Sequence, residues 1–84
     1  MKYQIVSIFD SAAGAYARSV IGSSVGMAMR SFEDECNRDA SDNSMFHHPK
    51  DFSLVQLGSF DDNDGSLVGL DAPVILAHAS DYRS

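Results

Sequence analysis

Residues 48–65, His-Pro-Lys-Asp-Phe-Ser-Leu-Val-Gln-Leu-Gly-Ser-Phe-Asp-Asp-Asn-Asp-Gly, limit the possible folds more than any other part of the chain. The run from Phe52 to Phe60 has the length and composition of a strand. The polar cluster Asp61–Gly65 stops it, and an Asp-Gly pair closes the turn. The segment predicts a strand over 52–61, a turn over 62–65 and a return strand over 66–70. Asp71-Ala72-Pro73 breaks the ladder, because proline has no N–H to donate. Val74–His78 is then a last short strand, or a helical turn leading into Ser80-Asp81-Tyr82. This hairpin sets the fold class and names no chemistry.

Upstream, Lys2–Phe9 reads as a strand with Tyr3, Ile5 and Phe9 on one face and Val6 and Ile8 on the other. Apolar residues on both faces predict a central position in the sheet. In the segment 11–24, Ala12, Ala13, Ala15 and Ala17 favour helix while Gly14, Gly22 and the serines oppose it, so it reads as a loop or short helical turn. A helix is predicted over 24–37. Ser24 is its N-cap, Val25, Ala28, Met29, Phe32 and Cys36 form one apolar stripe, and Asp34 is set to pair with Arg38 four residues on. Pro49 biases His48 towards extended backbone. The expected fold is α+β in the order β-α-β-β: a small antiparallel sheet of three to four strands with one main helix packed across it.

At 84 residues the chain has room for one domain, residues 1–84, and one modest core. A chain this small buries only about 60–65% of its unfolded surface, so pairing through a sheet edge or an apolar face is expected, and with it a homo-oligomer. The lone Cys36 excludes an internal disulfide and a multi-cysteine zinc site. No apolar run approaches the roughly 20 residues that span a bilayer. Residues 1–4 lead into a strand and not into a signal peptide. The expectation is a soluble protein of the cell interior with no membrane contact.

Charge is unevenly distributed. Residues 1–30 carry Lys2, Arg18 and Arg30 against Asp10, a balance of +2, whereas residues 31–84 carry three cations against eleven acids, a balance of −8 within the total of −6. Net negative charge disfavours tight nonspecific binding to duplex DNA. The acid-poor stretch 11–30 is the one place suited to a phosphate.

No motif specifies an enzyme or a cofactor. Placing Gly65 at position six of a calcium loop puts Phe60 where a carboxylate is required, so 61–65 reads as a solvated turn. His47 and His48 point to opposite sides of an extended segment, and His78 is distant, so no metal site is expected. Cys36 falls on the apolar helix stripe, as packing cysteines do. Gly22–Gly26 enters the helix, where free amides can hold a phosphate; the Gly-Lys-Ser/Thr of a P-loop is absent, and ordinary capping is the default. Tyr3, Phe9, Phe52 and Phe60 fall on strands, where core packing is the default. Tyr16 is the ring least committed to a core.

His48-Pro49, Asp51-Phe52, Leu54, Leu57-Gly58, Phe60-Asp61 and Gly65, with the opening strand ending in Phe9-Asp10-Ser11 and the helix residues Arg30-Ser31-Phe32-Glu33-Asp34, resemble the small nonstructural protein of gokushoviruses. These are tailless single-stranded DNA phages of the microvirus group. The resemblance covers nearly the whole chain. Segment 11–24 departs from it, since family members tend to carry a longer, proline-containing apolar run there. The resemblance implies a nonstructural protein of phage replication in the host cytoplasm, described for the family as DNA-binding, with no catalytic residues. Two expectations follow. One is weak single-stranded DNA binding by an oligomer through Lys2, Tyr16, Arg18 and Arg30. The other is an acidic module that binds a viral or host replication or packaging factor through residues 31–84.

Overall fold

An aspartate and a glycine four residues apart build each of two hairpin turns. Asp10 Oδ1 accepts hydrogen bonds from the N–H groups of Ala12 (3.0 Å) and Ala13 (3.4 Å), and Gly14 N–H donates to Asp10 O at 2.8 Å. Asp61 Oδ1 likewise accepts from Asn63 N–H at 3.0 Å, and Gly65 N–H donates to Asp61 O at 2.9 Å. Both glycines take left-handed backbone, at φ 66° and 74°, which side chains with a Cβ rarely adopt. The computed structural model describes residues 1–17, 20–22 and 24–82.

Around these turns run five strands, β1 (Lys2–Asp10), β2 (Ala15–Tyr16), β3 (Val20–Gly22), β4 (Phe52–Asp61) and β5 (Ser66–His78). All pairings are antiparallel, in the order β2-β1-β4-β5, with β3 also paired to β1. β1 therefore lies inside the sheet. Helix α1 (Val25–Cys36) and the single turn α2 (Ser44–His47) intervene between β3 and β4. The fold is α+β with one main helix, but β2 and β3 replace the loop or helical turn expected over 11–24, so the β-α-β-β order does not hold. The alanines there did not make a helix because the Asp10–Gly14 turn folds the chain back along β1.

The hairpin of 52–66 begins and ends where its sequence predicts. Beyond it, β5 continues through Pro73 as one strand with an irregular ladder, the pairing passing from Gly69↔Gly58 to Val74↔Gln56. Residues 70–73 thus bulge opposite Leu57, and the break expected at proline takes the form of a bulge. The same shift is felt between β1 and β4, where Ile5↔Gly58 is followed by Val6↔Gln56. Bulges of this kind add local twist and curl a sheet.

One face of the sheet is the core face. Val6, Leu54 and Ala77 are buried there with Phe32 and Cys36 of α1, Met45 of α2 and Ala79, and Ile8, Phe52, Ala28 and Met29 pack around them. The helix stripe read from the sequence is the stripe that faces the sheet. Ser24 caps α1 by accepting Met27 N–H at 3.1 Å. At the other end Arg38 pairs with Glu35 at 2.7 Å, and also lies 3.7 Å from Asp42, where the sequence suggested Asp34. Asn43, buried, joins α1 to α2: its Nδ2 donates to Glu35 O and Arg38 O, both at 2.8 Å, and its Oδ1 accepts from Met45 N–H at 3.2 Å.

Candidate nucleic-acid interface

Alternation along β1 divides its side chains between two surfaces. Val6 and Ile8 point into the core under α1; Tyr3, Ile5, Ser7 and Phe9 point the other way. The ladder extends that second surface, because directly paired residues share a face. Tyr3 stacks on its partner Phe60 with ring centroids 6.3 Å apart, and Phe9 tilts against its partner Tyr16 at 4.9 Å. These two aromatic pairs lie six residues apart on β1, about 20 Å at about 3.3 Å per residue. Between and beside them the ladder places Ile21 opposite Ile5, Val55 opposite Ser7 and Ser53 opposite Phe9. From β5 it adds Leu67, Gly69, Ile75 and His78.

No carboxylate belongs to this set of described strand residues, in a protein with twelve acidic side chains. Of the strand acids, Asp10 and Asp61 fall on the opposite parity or at the turns, and Asp71 lies in the 70–73 bulge, where no direct cross-strand pair is formed. Tyr16 is 47% exposed and Ile21 is exposed as well, while Ser7 and Val55 at the centre are buried, Ser7 Oγ donating to Ala17 O at 2.7 Å. The result is a surface with rings at both ends, small and aliphatic residues between them, and hydroxyl and imidazole groups along one side. Such a surface can stack planar rings, with the Asp62 carboxylate of the adjoining turn hydrogen-bonded to Tyr3 at one end and no carboxylate at the Phe9–Tyr16 end among its strand residues.

Of the residues singled out in the sequence, Lys2, Tyr16 and Arg30 are described, and these three do not share one groove. Tyr16 belongs to the ring face. Lys2 is exposed at the far end of β1, seven residues or roughly 23 Å from Phe9, and its parity sets it across from Asp61 on the other face. Arg30 is exposed on α1, two residues from buried Phe32 and so on the side of the helix turned from the sheet. Arg18 lies outside the described residues. Neither Lys2 nor Arg30 makes an ion pair among the described residues. The face itself was missed in the sequence because it depends on cross-strand register; the alternation of Tyr3, Ile5 and Phe9 was its visible part.

Other groups offer less chemistry. Ser53 Oγ and His78 Nδ1 are 2.9 Å apart, but among the described residues no carboxylate completes a triad; the nearby Asp81 carboxylate accepts the His78 backbone N–H instead. Among the described residues no three His, Cys, Asp or Glu side chains are placed to hold a metal. His47 Nε2 contacts Ala40 O at 3.0 Å. A cleft of about 370 Å³ between α1 and the sheet is lined by Ile8, Met27, Ala28, Phe32 and Leu54, with Glu35 at its edge. Arg38 holds the Glu35 carboxyl below its ordinary 4.5 by hydrogen bonding, so at neutral pH that edge is anionic. No helix among the described residues is long and apolar enough to cross a membrane.

No curated protein and no solved structure matches this chain. A protein-family model does, over residues 3–82, and its description is Phage ORF5 protein.

Proposed function

Because the chain belongs to the phage ORF5 protein family, we propose that it is a nonstructural phage protein that assists replication of a single-stranded DNA genome in the host cytoplasm by binding unpaired DNA weakly. The single observation that supports this reading is the strand face that carries two aromatic pairs, with no carboxylate directly paired between them. Each ring that stacks on a base contributes about 1–3 kcal/mol, and stacking tolerates any sequence. The protein's overall −6 charge opposes phosphate at long range, which favours a modest affinity and release once a strand is needed elsewhere. Tyr16 and Tyr3 are the contact residues in this reading, with Arg18 two residues along the sequence from Tyr16. Lys2 and Arg30 contribute at most through the general field.

Titration of a labelled oligonucleotide tests it. Binding at low salt is expected, with a shallow salt slope because few phosphates are contacted; each neutralised phosphate of a single strand contributes about −0.7 to that slope. Tyr16→Ala should weaken binding about tenfold, and Arg30→Glu, on the far side of α1, should change it little. Absence of binding at low salt, or unchanged affinity in Tyr16→Ala, overturns the reading.

A second reading has its own observation. Residues 51–82 hold six acids and no lysine or arginine, a surface complementary to a basic viral or host replication or packaging factor. A partner recovered equally well by the wild type and by Tyr16→Ala, and lost on charge reversal of Asp61, Asp62 and Asp64, favours this module over the DNA binder.

A further inference from the structure

Among the described residues the last strand of the sheet has a neighbour on one side only: β5 pairs with β4, and its other edge is open. An open edge presents unpaired N–H and C=O groups, and proteins that stay monomeric commonly blunt such edges with lysine, proline or inward charge. The stretch Ser66-Leu67-Val68-Gly69-Leu70 carries none of these. It is also where the apolar surface is concentrated. Leu67 is 68% exposed and Val68 58%, and Leu70, Val74 and Ile75 of the same strand are exposed too; together they are five of the nine large exposed apolar side chains among the described residues.

Shape and area point the same way. The molecule measures 41 × 23 × 20 Å with a radius of gyration of 13.3 Å, where a compact chain of this length has about 12 Å. Its accessible surface is 5416 Å², against about 4,900 Å² for a compact 9.1 kDa monomer. The excess of about 500 Å² is about what each partner gives to the smallest specific interfaces, which bury about 1,000 Å² in total.

We infer that the open edge of β5 is the docking site for a second copy of this chain, the two Ser66–Leu70 segments pairing antiparallel about a two-fold axis at Val68. That register sets Val68 against Val68 of the second copy and Leu67 against Gly69. Asp64 falls opposite Ala72, and Asp71 opposite Gly65, so no carboxylate is placed directly across from another. The 70–73 bulge and Pro73 end the pairing at each side. The contact therefore closes as a dimer and does not propagate into a filament. Edge pairing also keeps the two ring faces on one side of a continuous sheet.

The charge pattern selects among occupants. A nucleic acid is repelled by Asp61, Asp62, Asp64 and Asp71 around this edge. Two copies, each of net charge −6, repel at long range and meet through uncharged residues, so salt strengthens their association. A basic peptide would bind here more weakly as salt rises.

Sedimentation of the full chain, without DNA, at about 0.1 M and about 1 M salt decides the matter; the screening length falls from about 10 Å to about 3 Å between them. The expected result is a dimer that tightens at high salt. In the double variant Leu67→Lys, Val68→Lys, two exposed positions, the dissociation constant should rise at least about tenfold with an unchanged circular dichroism spectrum. Met27→Lys, an exposed apolar site on α1, should leave it unchanged. As a second measurement on the wild type, amide hydrogens within 66–70 should gain protection as protein concentration rises. A monomer at both salts, equal association of wild type and double variant, or edge protection that appears only with an added polycationic peptide overturns the inference. None of these readouts involves nucleic acid, so the outcome is independent of the oligonucleotide titration.

Discussion

At Gly58 the β5 backbone leaves no room for a side chain on β4, and Gly58→Ala measures how rigidly that approach is held. A Cβ added there overlaps the Val68 carbonyl oxygen and comes within 3.0 Å of Gly69 Cα and 3.1 Å of Val68 C. All three atoms are backbone, so no side-chain rotation relieves the clash, and the strands must separate. Carbon–oxygen contacts between neighbouring strands sit at about 3.3–3.6 Å, which implies a movement of about 1 Å. That stretches one or two ladder hydrogen bonds worth about 1 kcal/mol each, and overpacking adds about 1–3 kcal/mol. Replacing glycine stiffens the unfolded chain and returns about 0.4–1 kcal/mol. The net expectation is a loss of about 2–3 kcal/mol, a large share of the roughly 4–13 kcal/mol total for a chain of this size, and a fall in Tm of about 10–20 °C. Thermal and urea melts followed by circular dichroism measure it. Gly69→Ala on the facing strand is the control, since a Cβ there meets nothing within 4 Å, and it should stay within about 0.5 kcal/mol of wild type. A Gly58→Ala protein that melts within a few degrees of wild type refutes the steric reasoning.

Asn43→Ala should cost about 2 kcal/mol in urea melts, because it leaves the carbonyls of Glu35 and Arg38 and the N–H of Met45 without their buried partner; Asn43→Asp should cost more, since it turns a carboxylate oxygen towards those two carbonyls. Ser24→Ala removes the α1 cap and should cost about 1 kcal/mol. The Glu35 carboxyl titrates below 4.5 in the folded protein because Arg38 hydrogen-bonds its charged form. Its contribution to stability is therefore present above the ordinary value and is lost as pH falls through the lowered one. In an NMR titration Arg38→Ala should move the Glu35 midpoint up towards 4.5, and an unmoved midpoint contradicts the assignment.

What the sequence made legible was what local chemistry decides. The run Phe52–Asp61 and the N-cap at Ser24 each have their signal within a few residues, and both appear where expected. The Asp61–Gly65 turn was read because it follows an unmistakable strand. The Asp10–Gly14 turn has the same spacing, aspartate then glycine four on, but the alanines between and after it carry helix propensity, and tertiary pairing with β1 outweighed them. The repeated aspartate–glycine spacing, and not helix propensity, is the signal that points to β2. The proposed site was less legible for a different reason. Which rings meet is set by register, and register includes the extra residue at Leu57, which shifts every β4 partner beyond it by one. Nor does sequence spacing reveal that Arg30 and Tyr16 end up on different sides of the sheet.

The alternation of β1 has a consequence for how its positions tolerate change. A saturating mutational scan should resolve this strand into a comb. At Val6 and Ile8 an acidic replacement fails by preventing accumulation of folded protein; at Tyr3 and Phe9 the product should accumulate and fail in whatever recognition the phage requires. Under the proposed function, neighbouring codons answer to separate selective pressures, and abundance measured beside phage fitness would tell the two sets of teeth apart.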